Sequence, residues 1–248
     1  MVTWLLVLVV VGLVGLLLYW QLILAEGAYL GAPLVALLYD WTAERYNRIK
    51  DFDPDLETFT LAIPLAIRLA HQPAAPVLDV ATGTGRVPLA LLGQSVYEGR
   101  IIGLDRAARM LNVARRDTAA QRERVTLIQA DAMALPFADN SLPLVTCLEA
   151  LEFLPHPAQG LAELIRVLQP TSPTCPDSGW LLMTNRIGWE ARLMPGKTWR
   201  REELAKILDG LPLQQVSVQA WQTIYDLVWA QKVASSKQSA DRLERHVD

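Results

Sequence analysis

The sequence predicts an α/β fold built on a largely parallel sheet, preceded by an apolar N-terminal helix, and three observations carry that expectation. Between residues 76 and 232, short strand-like apolar runs alternate with longer amphipathic ones, the pattern of strands joined by helical crossovers. The stretch "VLDVATGTGRVPLALL", residues 77–92, places an aspartate and two glycines between two apolar runs, as a strand, a tight bend and a helix would. The first 25 residues, "MVTWLLVLVVVGLVGLLLYWQLILA", carry no charged side chain.

Trp4 to Ala25 would reach about 33 Å as a helix, enough to cross a bilayer core. Residues 1–25 are therefore expected to form a single-pass transmembrane anchor, with Tyr19, Trp20 and Gln21 at one border and Trp4 at the other. A cleaved signal peptide fits less well, because no basic start and no clean small-x-small site is present. Residues 26–72 read as an interfacial and helical lead-in. "AYLGAPLVALLYDW", 28–41, is too short to span and is interrupted by Gly31 and Pro33, which suits a segment lying along the interface or lining an entrance to the catalytic domain. "WTAERYNRIKDF" and "LETFTLAIPLAIRLAH" follow as helices, the second interrupted by Pro64. Arg45, Arg48 and Lys50 lean toward a cytoplasmic position for everything after the anchor.

The main domain is expected over residues 73–231. Its strands are "PVLDVA", "GRIIGLD", "VTLIQAD", "LPLVTCLEA" and "GWLLMTN", with helices at "RVPLALLGQ", "AARMLNVARRDTAAQ" and "AQGLAELIRVLQP" between them. "WRREELAKIL" reads as a further helix, and "LQQVSVQAW" with "IYDLVWAQK" as an antiparallel pair at the sheet edge. "PTSPTCPDSG" is a turn-rich excursion, and residues 232–248 form a charged C-terminal tail.

The bend carries the chemistry. Gly83 and Gly85 lack the Cβ that would keep a ligand from the main chain. A dinucleotide fingerprint would need a third glycine where Pro88 stands, and Asp79 before the loop would repel a pyrophosphate. S-adenosylmethionine, with an ammonium, a sulfonium and no phosphate, suits the acid better. Asp105, closing the second strand, can accept hydrogen bonds from ribose hydroxyls. Met110 offers an apolar contact to an adenine face, and Asp131, after the third strand, an acceptor for its exocyclic amine. The three acids stand 26 residues apart each time.

"VLDVATGTGR", "IIGLDRAARMLNVAR", "QADAMALPFADNSLPLVTCLEALEFLPHP" and "LAELIRVLQP" together resemble the class I S-adenosylmethionine-dependent methyltransferases, nearest the small-molecule group that includes ubiquinone/menaquinone-biosynthesis methyltransferases. The resemblance runs from about residue 75 to 185. It implies a Rossmann-like seven-stranded methyltransferase sheet flanked by helices, with the last strand antiparallel. It places the methionine moiety of the donor near Asp79, Ala81 and Gly83, with Thr82 and Gly85 in the same loop. The ribose falls at Asp105, and the adenine against Arg106 and Met110 with Asp131, Ala132 and Met133 at its edge. Leu148 and Glu149 then stand near the transferring methyl. The chain departs from the family at Ala81, where a glycine is commoner, and at "EFLPHP", where relatives often show "EHLPDP".

If the acceptor needs a base, His156 is the candidate, Glu149 and Glu152 are the further catalytic candidates as residues that position substrate, and Arg186, Trp189 and Arg192 are placed to border an acceptor pocket. The function expected is methylation of a small lipophilic acceptor, such as a quinone, isoprenoid or lipid, by a membrane-anchored enzyme. The alternatives are a soluble or protein substrate with the anchor serving location only, or a non-catalytic cofactor-binding protein. A net charge of −3 gives no electrostatic basis for a nucleic-acid partner, and His71, His156, His246, Cys147 and Cys175 form no metal-like set.

Overall fold

A computed structural model describes residues 2–234. The expected charged tail lies outside the described residues from 235 onward, and its first residue, Lys232, ends a strand instead.

Helix α1 (Val2–Tyr19) continues through a π-helical turn at Trp20–Leu24 and buries none of its apolar side chains. By length and composition it could cross a membrane. The lead-in differs from its expectation. Gly31 and Pro33 do not interrupt a short segment but start one long helix, α2 (Ala32–Lys50), which absorbs most of "WTAERYNRIKDF". Proline is well suited to a first helical turn, where its missing N–H has no intrahelical partner to lose. Pro64 likewise does not break its helix. A π-turn at Thr58–Ala62 joins α3 (Pro54–Glu57) to α4 (Ile63–Arg68) and accommodates the proline.

The sheet contains β1 (Val77–Val80), β2 (Ile101–Asp105), β3 (Val125–Gln129), β4 (Leu144–Cys147), β5 (Trp180–Arg186), β6 (Leu213–Trp221) and β7 (Tyr225–Lys232). Among the described residues its order is β3-β2-β1-β4-β5-β7-β6. The first five strands are parallel, and β7 inserts antiparallel between β5 and β6. The helices of this part are α5 (Arg86–Leu92), α6 (Ala108–Asp117), α7 (Pro157–Val167), α8 (Gly188–Arg192) and α9 (Arg201–Asp209). This is the seven-stranded, helix-flanked arrangement the sequence implied.

Strand alternation divides the core into two layers. Leu78, Val80, Val145, Leu181 and Met183 point to one face with Leu161 and Leu164 of α7. Val77, Leu144, Trp180 and Leu182 point to the other with Leu61, Leu65, Val87 and Leu91. Strands covered on both faces show the continuous apolar runs seen in "PVLDVA" and "GWLLMTN". The order reverses at β1, whose neighbours are β2 and β4, so the crevice for a ligand opens beyond the carboxyl end of β1.

Candidate active site

The loop after β1 closes on Asp105. Register sets Val80 beside Leu104, which brings the next residues of both strands to the same sheet edge. Asp105 accepts hydrogen bonds from the Gly83 N–H and the Ala107 N–H, both at 2.8 Å, and so ties the glycine loop to the start of α6. Burial pushes its carboxyl up, against the pull of those backbone bonds. Each oxygen keeps a lone pair for a further donor.

Asp79 sits deeper than a strand-end position. It pairs in register with Thr146 and accepts that hydroxyl's hydrogen bond at 2.5 Å. Burial raises its pKa to about 6, and the threonine bond offsets only part of this. The equal spacing of the three acids therefore hides three environments: Asp79 inside β1, Asp105 at the end of β2, and Asp131 two residues past β3. Asp131 accepts from Arg106 Nη1 at 2.6 Å and from the Met133 N–H at 2.9 Å, making a half-exposed clasp across the pocket mouth.

Loop, strand ends and α2 enclose a cleft of about 780 Å³, open mouth included. One wall holds Ala81, Gly83, Asp105, Arg106, Met110, Asp131, Ala132 and Leu148 from the expected set. The facing wall comes largely from the segment expected along the interface or at an entrance to the domain, with residues that the sequence reading does not single out: Val35, Ala36, Tyr39 and Tyr46 of α2, with Phe153 beyond. Periodicity could have found it, since Ala32, Val35, Ala36, Tyr39, Ala43 and Tyr46 repeat at helical spacing. A smaller recess of about 370 Å³ continues beneath the loop to Asp79, Thr82, Arg86 and Glu149.

Gly83 has φ +55°, and a Cβ built there would meet nothing within 4 Å, so the missing side chain leaves open cleft. Gly85 serves differently. At φ +89° it caps α5, and its Cβ position lies 3.3 Å from the Ala114 Cβ, which makes it a close-packing residue against α6. Ala81 is held at φ +56°, in the left-handed region that favours glycine. Ala81→Gly is expected to raise stability by about 0.5–1 kcal/mol, the left-handed penalty relieved less glycine's extra chain entropy. Thermal unfolding checks this, and an unmoved or lowered midpoint would show that the alanine carries no strain.

The three candidate catalytic residues are placed differently. Glu149, itself at φ +50°, is nearly buried, yet Lys50 Nζ at 2.8 Å and Arg86 Nη1 at 2.6 Å hold its carboxyl below the usual range despite burial. An anion with both oxygens engaged is a poor proton acceptor and acts as a fixed charge at the edge of the cleft. Glu152 lies off the cleft, receives the Tyr225 hydroxyl at 2.6 Å, and is pushed up by burial. His156 is exposed, occupies the N-cap position of α7 and lines neither the cleft nor its recess. Arg186 and Arg192 border a second, wider cleft beside α8, whereas Trp189 is exposed away from it.

Residues 77–171 match a family model described as a methyltransferase domain. The chain is 44% identical over 98 residues to a demethylmenaquinone methyltransferase of Lactiplantibacillus plantarum, covering 39% of this chain and 41% of that protein. It is 35% identical over 136 residues to the demethylmenaquinone methyltransferase of Thermus thermophilus, covering 54% and 60%. With the ubiquinone/menaquinone biosynthesis C-methyltransferase UbiE of Geotalea daltonii it shares 30% identity over 138 residues, covering 54% and 57%. The chain thus spans less than two thirds of the length of these relatives. Among solved structures, a SAM-dependent methyltransferase from Aquifex aeolicus superposes with TM-score 0.51 at 21% identity, covering 73% of this chain and all of that one. The [4+2]-cyclase SpnF superposes with TM-score 0.54 at 18% identity, covering 69% and 81%. These superpositions speak to fold alone, since one fold hosts several chemistries. Sequence relatives, matched domain and sheet order agree that this chain carries a class I S-adenosylmethionine-dependent methyltransferase domain, homologous to the ubiquinone/menaquinone-biosynthesis methyltransferases.

Proposed function

We propose that the chain is a membrane-anchored S-adenosylmethionine-dependent methyltransferase whose acceptor is a small lipophilic molecule, such as a quinone, an isoprenoid or a lipid. The observation that carries this reading is the two-sided cleft: polar strand ends on one wall, and the apolar and aromatic face of a helix that follows α1 on the other. The residues present fit the donor. Gly83 leaves open space above the main chain, Asp105 offers acceptor lone pairs to ribose hydroxyls, and Ala107, Met110 and Ala132 line the cleft with apolar surface beside the Arg106–Asp131 clasp. The methionine end would extend into the recess between Asp79 and Glu149.

The bound donor supplies an activated methyl on sulfur. The chain's part is placement, which in favourable cases is worth about 7–11 kcal/mol. Leu148 and Phe153 border the space where donor and acceptor would meet, and burial keeps Tyr39 and Tyr46 as neutral phenols on the α2 wall. Such phenols can donate to an acceptor oxygen. Homology to proteins named for quinone methylation supports an acceptor of that class.

The test is methyl transfer from radiolabelled donor into a panel of membrane extracts. Label in the lipid-soluble fraction is expected. Label found only in water-soluble metabolites or protein would overturn the acceptor class. A pH effect accompanies it. Asp79 titrates near 6, and an adjacent ammonium favours its ionised form, so binding should be linked to loss of that proton. Affinity for S-adenosylhomocysteine is expected to tighten as pH rises through about 6 and then level off, with the rise lost in Asp79→Asn. A flat wild-type profile by calorimetry would place the ammonium elsewhere.

A further inference from the structure

Resting on the reading of a bilayer-anchored enzyme, we propose that α2 makes a second membrane contact: its outer face seats on an anionic phospholipid surface, so that this one helix separates the bilayer from the cleft. The residues on that face are Leu34, Leu37, Trp41, Arg45 and Arg48, spaced three, four, four and three apart and hence aligned along one side. Leu34, Leu37 and Trp41 are 49%, 61% and 80% exposed, and both arginines are exposed. Val35, Tyr39, Ala43 and Tyr46 occupy the opposite side, against the cleft or α6. A solvated helix would not turn its one tryptophan and two leucines outward while burying an alanine, Ala43.

The order along the stripe identifies the occupant. It begins apolar, passes through a tryptophan and ends basic, over about 21 Å from Leu34 to Arg48. Bilayer depth changes in the same order, from acyl chains through the interface favoured by tryptophan to the phosphates that attract arginine. Among the described residues no carboxylate pairs with Arg45 or Arg48. The apolar surface of α1 is exposed as well, and its base is fixed to the domain by Trp20, which stacks on Tyr29, donates to the Leu193 carbonyl at 2.9 Å and packs in the cluster that holds Val35 at the start of α2. A protein partner would have no reason to match this gradient. An acceptor dissolved in the bilayer then needs only to pass α2 to reach the cleft.

The full chain, carrying p-benzoylphenylalanine at position 37, is reconstituted into vesicles of phosphatidylcholine and phosphatidylglycerol and illuminated. Position 13 in α1 and position 96, exposed at the opposite end of the sheet, serve as references. Lipid adducts at 13 and 37 with none at 96 are the expected result. An adduct at 13 without one at 37 overturns the inference while leaving the anchor standing, and no adduct at either removes the anchor as well. A protein adduct at 37 assigns the face to a second copy or another protein and overturns the inference. Arg45→Glu combined with Arg48→Glu should lower the yield at 37 by more than about fivefold in the anionic vesicles and leave it unchanged in pure phosphatidylcholine. Equal yields in anionic vesicles would remove the headgroup role. S-adenosylhomocysteine affinity, unchanged in that variant, reports that the fold is intact.

Discussion

Gly83→Arg is expected to weaken S-adenosylhomocysteine binding by more than roughly a hundredfold, or about 3 kcal/mol. Position 83 lies between Ala81 and Asp105 on the cleft wall, and nothing stands within 4 Å of where its Cβ would be. A long side chain there has nowhere to go but the cavity. Its guanidinium would also meet Asp105, competing for the lone pairs that the ribose would use. Gly83→Ala separates strain from obstruction. The left-handed backbone at φ +55° costs any L-residue roughly 1–2 kcal/mol, but a methyl meets no neighbour. The alanine variant should therefore lose stability measurably while losing far less affinity than the arginine variant. Calorimetry on the full chain in detergent micelles measures both constants, and thermal unfolding tracks the strain. Near-wild-type affinity in a folded Gly83→Arg protein would show that the donor does not lie over this loop.

What the sequence discloses follows from the range of the interactions concerned. Strands β1, β4 and β5 are legible because central parallel strands are apolar on both faces, and their crossover helices restore the longer period. The glycine bend and Asp105 are legible because they are adjacent to those strands, and the backbone bond between them needs only the register of neighbouring strands. The depth of Asp79 is not legible from the 26-residue spacing of the acids, which does not count how many residues each strand keeps inside the sheet. That α2 can line an entrance is legible from its apolar segment, but its extent is not, because Gly31 and Pro33 read as an interruption, whereas a proline in a first turn begins a helix. His156 misled through chain proximity to β4, although its turn faces solvent. The cluster of Lys50, Glu57, Arg86 and Glu149 is illegible for a deeper reason: its four members lie on separate elements, and only the tertiary fold brings them together.

That cluster gives the largest expected loss of stability. Arg86 donates from Nε and Nη2 to the two oxygens of Glu57, at 2.7 and 2.6 Å, and from Nη1 to Glu149 at 2.6 Å. The three side chains are only 11%, 9% and 7% exposed, and the guanidinium lies over the rings of Phe52 and Trp221 at 4.2 and 4.7 Å. Arg86→Met fills similar space without a charge and leaves Glu57 buried with no cation, at a cost of about 3–5 kcal/mol. For a chain of this length that lowers the unfolding midpoint by roughly 10 °C. The pH dependence identifies the cause. In the wild-type protein Glu149 is held below its unfolded pKa, so it contributes stability that is present above about pH 4.5 and lost as pH falls through the folded value. Removing Arg86 removes one of the two cations opposing burial, and the folded pKa of Glu149 moves upward. The deficit of the variant is therefore largest at neutral pH and narrows toward about pH 5, where its buried carboxyls can take up protons. Adding Glu57→Gln to Arg86→Met should recover part of the loss at neutral pH by removing the stranded charge. A deficit below about 1 kcal/mol, constant with pH, would mean that water reaches these groups and that the cluster behaves as a surface network. Because Arg86 and Glu149 of this cluster border the recess beneath the glycine loop, a large pH-dependent loss would also establish that the fixed anion of Glu149 is held there by the fold before any donor arrives.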